Sequence, residues 1–261
     1  MLVLKLAIAP LVICLATLAS RRWGDSIGGW LVALPVTGGP VVLFLAIENG
    51  RQFGVAAARG CLSGAVALAG FCLLYAWCAR LGWILSVGIG SAGFVALAYL
   101  LSRITVRPTL MIGIVLVVVA AVLRLIPDQP PRYSPNSPGT WGLLFRMSAA
   151  TAVILLLTAT GRELGPALSG ALASMPVYAG TLAAFAHQSS GPESGVAVLR
   201  GLLYGLFGYS SFFLVLDLLM VRHSFALSFS VAFVATGVIH TGALRMMTYA
   251  TGRQIVIERL E

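Results

Sequence analysis

Apolar residues fall in runs of about 18 to 25, each long enough to cross a hydrocarbon core of about 30 Å. Lipid offers backbone groups no water, so each run is expected to be helical. The runs place spans at 2–19, 27–47, 54–78, 83–101 and 109–126. After a polar, proline-rich loop at 127–139 come spans at 141–159, 167–187, 195–220 and 224–243, then a charged tail. Trp23, Trp77, Trp83 and Trp141 mark span ends, where indoles prefer the interface.

The pattern repeats. Residues 24–64 return at 165–205 with a constant offset of 141 and no gap. The matches fall on residues with special backbone or charge properties. Gly24, Gly29, Gly39, Gly50, Gly54 and Gly64 meet Gly165, Gly170, Gly180, Gly191, Gly195 and Gly205. Pro35 meets Pro176, and Arg59-Gly60 meet Arg200-Gly201. Coincidence at glycine, proline and arginine indicates duplication. The offset also pairs Lys5 with Arg146, so the N-terminal run is read as a retained span rather than a signal peptide.

The fold class expected is therefore an all-α polytopic membrane protein of about nine transmembrane helices. Residues 1–103 form the first four-helix repeat and 141–244 the second. The linker helix and its loop occupy 104–140, and 245–261 are the tail. Span 5 has no partner. A single extra crossing turns the second repeat over, giving the inverted design that recurs among transporters with a site near the midplane. Arginine counts favour the C-terminal side as cytoplasmic only weakly, ten basic residues against seven.

Composition agrees. The chain is 59% hydrophobic and 10% charged, against about a quarter charged in soluble domains. Its net charge of +9 comes from basic residues scattered singly at span ends. These suit lipid headgroups, and nucleic acid is not an expected partner. The four cysteines lie in the first half without metal-ligand spacing and are read as small packing residues. No cofactor is expected.

Lys5 and Arg59 lie inside apolar runs near one surface, and Arg146 and Arg200 repeat them near the other. A charge at mid-helix costs about 2.5–3.5 kcal/mol on insertion scales, less near an end, where it snorkels. Snorkelling is one reading of all four. The other is a basic pair at each face binding a phosphate or carboxylate. Pro35 and Pro176 lie mid-span, where proline removes a hydrogen bond and kinks the helix. They mark either packing kinks or the matched helix breaks of a transport site. Gly60-x-x-x-Gly64 and Gly201-x-x-x-Gly205 are small faces for close crossings. Asp217 stands one turn from Arg222. It is either half of an end-of-helix ion pair or a proton-coupling carboxylate. His187 and His240 are placed near span ends and not read as ligands. No zinc helix or nucleophile elbow is present, so the chain is not expected to be an enzyme.

At Lys5, at Gly29-x-Leu31-x-x-x-Pro35, at Asn49-Gly50 and at Arg59 with Gly64, the chain resembles the GlpM-like family of small bacterial inner-membrane proteins. Those proteins are four-helix units with a basic residue in helix 1, a proline-containing helix 2 and an arginine-glycine stretch into helix 3. The resemblance covers each repeat but not span 5 or the tail. It implies a fused duplication in a bacterial inner membrane and supplies no activity. The second copy departs at Thr181, where the first has Pro40.

The function expected is a transporter or flippase for an anionic small molecule or lipid-linked phosphate. It would alternate access between the repeats. The alternative is a non-transporting integral subunit that scaffolds an envelope-polysaccharide or lipid-processing complex. Membrane lipids are partners in both. A homo-oligomer and a larger membrane complex are each compatible with the chain.

Overall fold

The computed structural model describes residues 14–15, 17–35, 38–104, 106–126 and 165–258. Expected spans 1 and 6, with Lys5 and Arg146, lie wholly or largely outside them. The described residues are all-α. After a helical stretch at 17–23 come α1 (Asp25–Val32), α2 (Gly38–Asn49), α3 (Arg51–Cys78) and α4 (Trp83–Ser102). Then follow α5 (Pro108–Leu125), α6 (Pro166–Ala173), α7 (Val177–Ser190), α8 (Pro192–Leu219) and α9 (Phe225–Glu258). Among the described residues, six segments are long and apolar enough to cross a membrane: 51–81, 83–102, 108–125, 166–190, 192–219 and 225–249. The chain is a multi-pass membrane protein.

Expected span 2 is not one helix. It divides into α1 and α2, with Pro35 in the interruption. Expected span 7 divides in the same way into α6 and α7, and Pro176 caps the start of α7. Proline supplies no N–H and crowds the preceding turn, so each helix stops before it. The last span is longer than its apolar run, because α9 continues to Glu258. Gly50 and Gly191 hold φ of 92° and 95° between successive helices, α2 to α3 and α7 to α8. Glycine alone adopts that conformation without strain.

α3 and α8 form the centre, and they run antiparallel. Near the start of α3, Arg59 meets Asp217 near the end of α8. Near the end of α3, the Tyr75 hydroxyl lies against Gly195 near the start of α8. The outer helices then cross over between the halves of the sequence. α1 packs on α8, and α6 packs on α3. Glycine makes both crossings close. A methyl group on Gly29 would collide with the Val198 carbonyl, and one on Gly201 with the Ser26 carbonyl. In the other crossing, Gly170 lies against the Ala57 carbonyl and Gly60 against the Ala167 carbonyl. Each contact maps onto its mate by the offset of 141. Such small-residue faces let backbones approach where lipid removes any hydrophobic drive for association. Phe71, Tyr75, Phe212 and Phe213 fill the remaining interior.

α5 joins the two faces. Pro108 and Met111 stand near Arg59, whereas the Leu123 and Ile126 carbonyls reach Arg200, at the opposite end of the α3–α8 pair. Eighteen residues span about 27 Å at 1.5 Å per residue. α5 therefore runs beside α3 and α8 from the level of Arg59 to that of Arg200.

Candidate functional site: an arginine cavity between the halves

Arg59 lies two turns into α3, at the mouth of a cavity of about 170 Å³, space for on the order of ten waters. Ser63 of α3, Ser102 of α4, Val106 and Met111 around the start of α5, and Ala167 of α6 complete the wall. The cavity thus draws on both halves of the chain. Pro108 sits at the first position of α5, where its missing N–H costs nothing.

The Arg59 side chain is 48% exposed and Asp217 only 2%. Arg59 donates from Nε to Asp217 Oδ1 at 2.6 Å. Among the described residues, neither Nη group has a partner. A guanidinium has five donors in a planar fork, so one edge is fixed and the other is presented at the cavity. Of the two readings of Asp217, the end-of-helix ion pair with Arg222 is not what forms, and the pair is with Arg59. Arg222 falls in the turn after α8 and is exposed, while Asp217 faces inward onto α3. A carboxylate taken out of water needs a counter-charge, and Arg59 supplies it.

The α6 N-terminus adds to the positive character. Gly165 caps α6 with φ 79° and no side-chain hydrogen bond, and Pro166 has no N–H. The Ala167 and Leu168 amides lie in the first turn of α6, ahead of Ser169, whose amide bonds the Gly165 carbonyl at 2.9 Å. The helix dipole favours an anion at such an end. Gly60 permits this, because only glycine lets α6 begin directly against α3.

Arg200 is not part of this cavity's wall. It is 9% exposed, and Nη1 donates to the Leu123 carbonyl at 3.2 Å and the Ile126 carbonyl at 2.7 Å. These are among the last carbonyls of α5, which a helix end leaves without intrahelical donors. The snorkelling reading therefore fails for Arg200, whose head turns into protein. The structure does not bring Arg59 and Arg200 together, nor Pro35 and Pro176 into the cavity wall. Both prolines lie at the helix interruptions.

Some polar contacts were not expected from the sequence. His240 lies well inside α9, not at a span end, and is 2% exposed. Its ring stacks on Trp30 at 4.2 Å between centroids. Trp30 Nε1 donates to the His240 carbonyl at 3.2 Å, and His240 Nε2 lies 3.1 Å from the Trp30 carbonyl. At the α6–α7 interruption, the Ser174 hydroxyl lies 2.6 Å from that of Tyr209. The unmatched Trp30 and His240 gave a signal only as polar-tipped residues inside apolar runs. Cys14, Cys61, Cys72 and Cys78 are free thiols. Among the described residues no three His, Cys, Asp or Glu side chains gather as metal ligands.

Compared with known proteins, the chain matches no family model, no curated protein and no solved structure at a significant level.

Proposed function

We propose that this protein is a membrane transporter or flippase for a phosphate-bearing or carboxylate anion, free or carried on a lipid. The observation that carries the reading is the Arg59 cavity, with a half-exposed guanidinium beside the α6 N-terminus. Snorkelling alone needs neither the cavity nor the buried Asp217. Two inverted four-helix repeats are the architecture behind this reading. The recurrence of the α1–α2 break at α6–α7, the reciprocal glycine contacts and the crossing of α5 all support it. Matched broken helices between inverted repeats are a recurring setting for transport sites. The resemblance to the GlpM-like family favours a bacterial inner membrane as its location.

One part of the expected mechanism changes. The sequence halves do not pack as separate bodies, because α1 is locked on α8 and α6 on α3. Rocking one sequence half against the other would tear both glycine crossings. Access changes are therefore assigned to exchanged bundles, α3 with α4 and α6 against α8 with α9 and α1, and to α5 between them.

The tightness of those crossings favours a second reading, a non-transporting scaffold subunit of an envelope-polysaccharide or lipid-processing complex. Reconstitution separates the two. One arm follows radiolabelled inorganic phosphate into proteoliposomes, and the other follows scrambling of a fluorescent phosphatidylglycerol. Flux above protein-free vesicles in either arm is expected, and the arm that responds identifies the source of the phosphate. Arg59→Lys keeps the charge but loses the planar fork. Loss of one charge-assisted hydrogen bond, about 1.5–3 kcal/mol, raises KM roughly ten- to hundredfold. Vesicles with no flux in either arm leave the scaffold reading.

A further inference from the structure

A short turn joins α4 to α5, yet these two helices scarcely touch each other. Each packs along α3 instead. The Arg59 cavity occupies the space left between them at the turn. Leu101 and Ser102 wall it from α4, Pro108 and Met111 from α5, and Arg59 and Ser63 from α3.

Arg59 is the one charged side chain in that wall, and Ser63 and Ser102 are its only other polar side chains. The Ser63 hydroxyl donates to the Gly60 carbonyl at 2.8 Å, so its proton is not offered to an anion. A free phosphate or carboxylate is charged and hydrated on every side, and leaving water for a largely apolar wall is costly unless each side is met. A phosphate esterified to a lipid presents charge on one side and an apolar body on the other. The cavity has that same division.

The apolar part of the wall continues onto the outer surface. Ile104 lines the cavity and is also 57% exposed. Leu100 near the end of α4 and Leu110 at the start of α5 are exposed beside it. Arg103 and Arg107 stand exposed at the same turn. Arg103 donates from Nη2 to the Tyr99 hydroxyl at 2.7 Å, and its guanidinium lies 4.8 Å from the centre of the Tyr99 ring. Arginines beside an apolar surface at a span end attract anionic headgroups.

We infer that the Arg59 cavity takes the phosphate headgroup of an anionic membrane lipid, which enters sideways between α4 and α5. The Nη groups of Arg59 meet the phosphate oxygens, while the acyl chains stay in the bilayer against Leu100, Ile104 and Leu110. The inference rests on the anion reading proposed above and names the source of that anion.

The test is photocrosslinking in proteoliposomes with a phosphatidylglycerol that carries a diazirine in one acyl chain, followed by peptide mapping. Crosslinks are expected at Leu100, Ile104 and Leu110 severalfold above the other exposed apolar residues of α4, α5 and α9. Unlabelled phosphatidylglycerol is expected to remove this enrichment, and diacylglycerol, which lacks the phosphate, to leave it. Arg59→Lys keeps a counter-charge for Asp217 but not the planar fork, and is expected to lower the enrichment severalfold. Arg59→Ala/Asp217→Ala is expected to abolish it. Crosslinks spread evenly over the exposed apolar residues and indifferent to Arg59 report annular lipid only and overturn the inference. Uptake of inorganic phosphate alongside that even pattern leaves the transport reading intact, with a free anion as substrate. Enrichment that depends on Arg59, without flux in either arm of the reconstitution, supports the lipid site and removes the transport reading instead.

Discussion

Arg59 donates from Nε to a buried oxygen of Asp217 across 158 residues of sequence, at 2.6 Å. This ties the start of α3 to the end of α8. Breaking a buried pair by removing one partner costs about 3–5 kcal/mol, because the other charge is stranded. Arg59 is half exposed, so the cost here is expected below that range. Arg59→Ala should lower the melting temperature in detergent more than the double variant Arg59→Ala/Asp217→Ala does. The order follows from Asp217 being stranded only in the single variant. Equal or additive losses would mean that the pair is not coupled.

The crossing glycines give a second prediction with its own control. Gly60→Ala and Gly201→Ala each force a methyl into a facing carbonyl, and overpacking of this kind costs about 1–3 kcal/mol. Gly113→Ala meets open space on α5. There alanine restores helix propensity worth about 0.5–1 kcal/mol. Thermal unfolding should separate the three in that order of sign. Equal destabilisation at Gly113 would show that the loss comes from glycine chemistry in general and not from the crossings.

What was legible in the sequence follows from which residues carry backbone information. The breaks at Pro35 and Pro176 were legible because proline restricts φ and lacks an N–H wherever it stands. Close crossings at Gly60 and Gly201 could be expected because glycine has no side chain to hold a neighbouring helix away. The Arg59–Asp217 pair could not. It depends on how α3 and α8 are rotated toward each other, and the nearer candidate in sequence, Arg222, lies beyond the helix end. The Leu123 and Ile126 carbonyls that meet Arg200 left even less trace, since any residue would supply them.

The reciprocal Trp30–His240 contact fastens α1 to α9. Two hydrogen bonds at about 0.5–1.5 kcal/mol each and a stacked pair worth a similar amount meet there. One hydrogen bond, from Trp30 Nε1, goes to the His240 backbone and survives changes of the histidine side chain. His240→Ala should therefore cost about 1–3 kcal/mol and redden Trp30 fluorescence as water enters. Trp30→Phe, which keeps a ring but loses the indole N–H, should cost less. An unchanged melting temperature for His240→Ala would show that this contact does not hold α9.

The final prediction concerns the two helix breaks. Pro35→Ala and Pro176→Ala each restore an N–H and relieve the clash that ends α1 and α6. A continuous helix then gains hydrogen bonds that proline forbids, and a helix-interior proline disfavours the helix by about 3 kcal/mol. The native chain recovers part of this by restarting quickly. The Gly39 amide bonds the Pro35 carbonyl at 3.0 Å, and the Gly180 amide bonds the Pro176 carbonyl at 2.6 Å. Both variants should therefore hold or raise the melting temperature. If the breaks serve transport, each variant should also lose flux in proteoliposomes, the usual opposition of stability and activity at a strained site. Losing flux at one proline but not the other would argue against equivalent roles for the two copies. Full flux in both variants would reduce the breaks to packing kinks and remove one support of the transport reading.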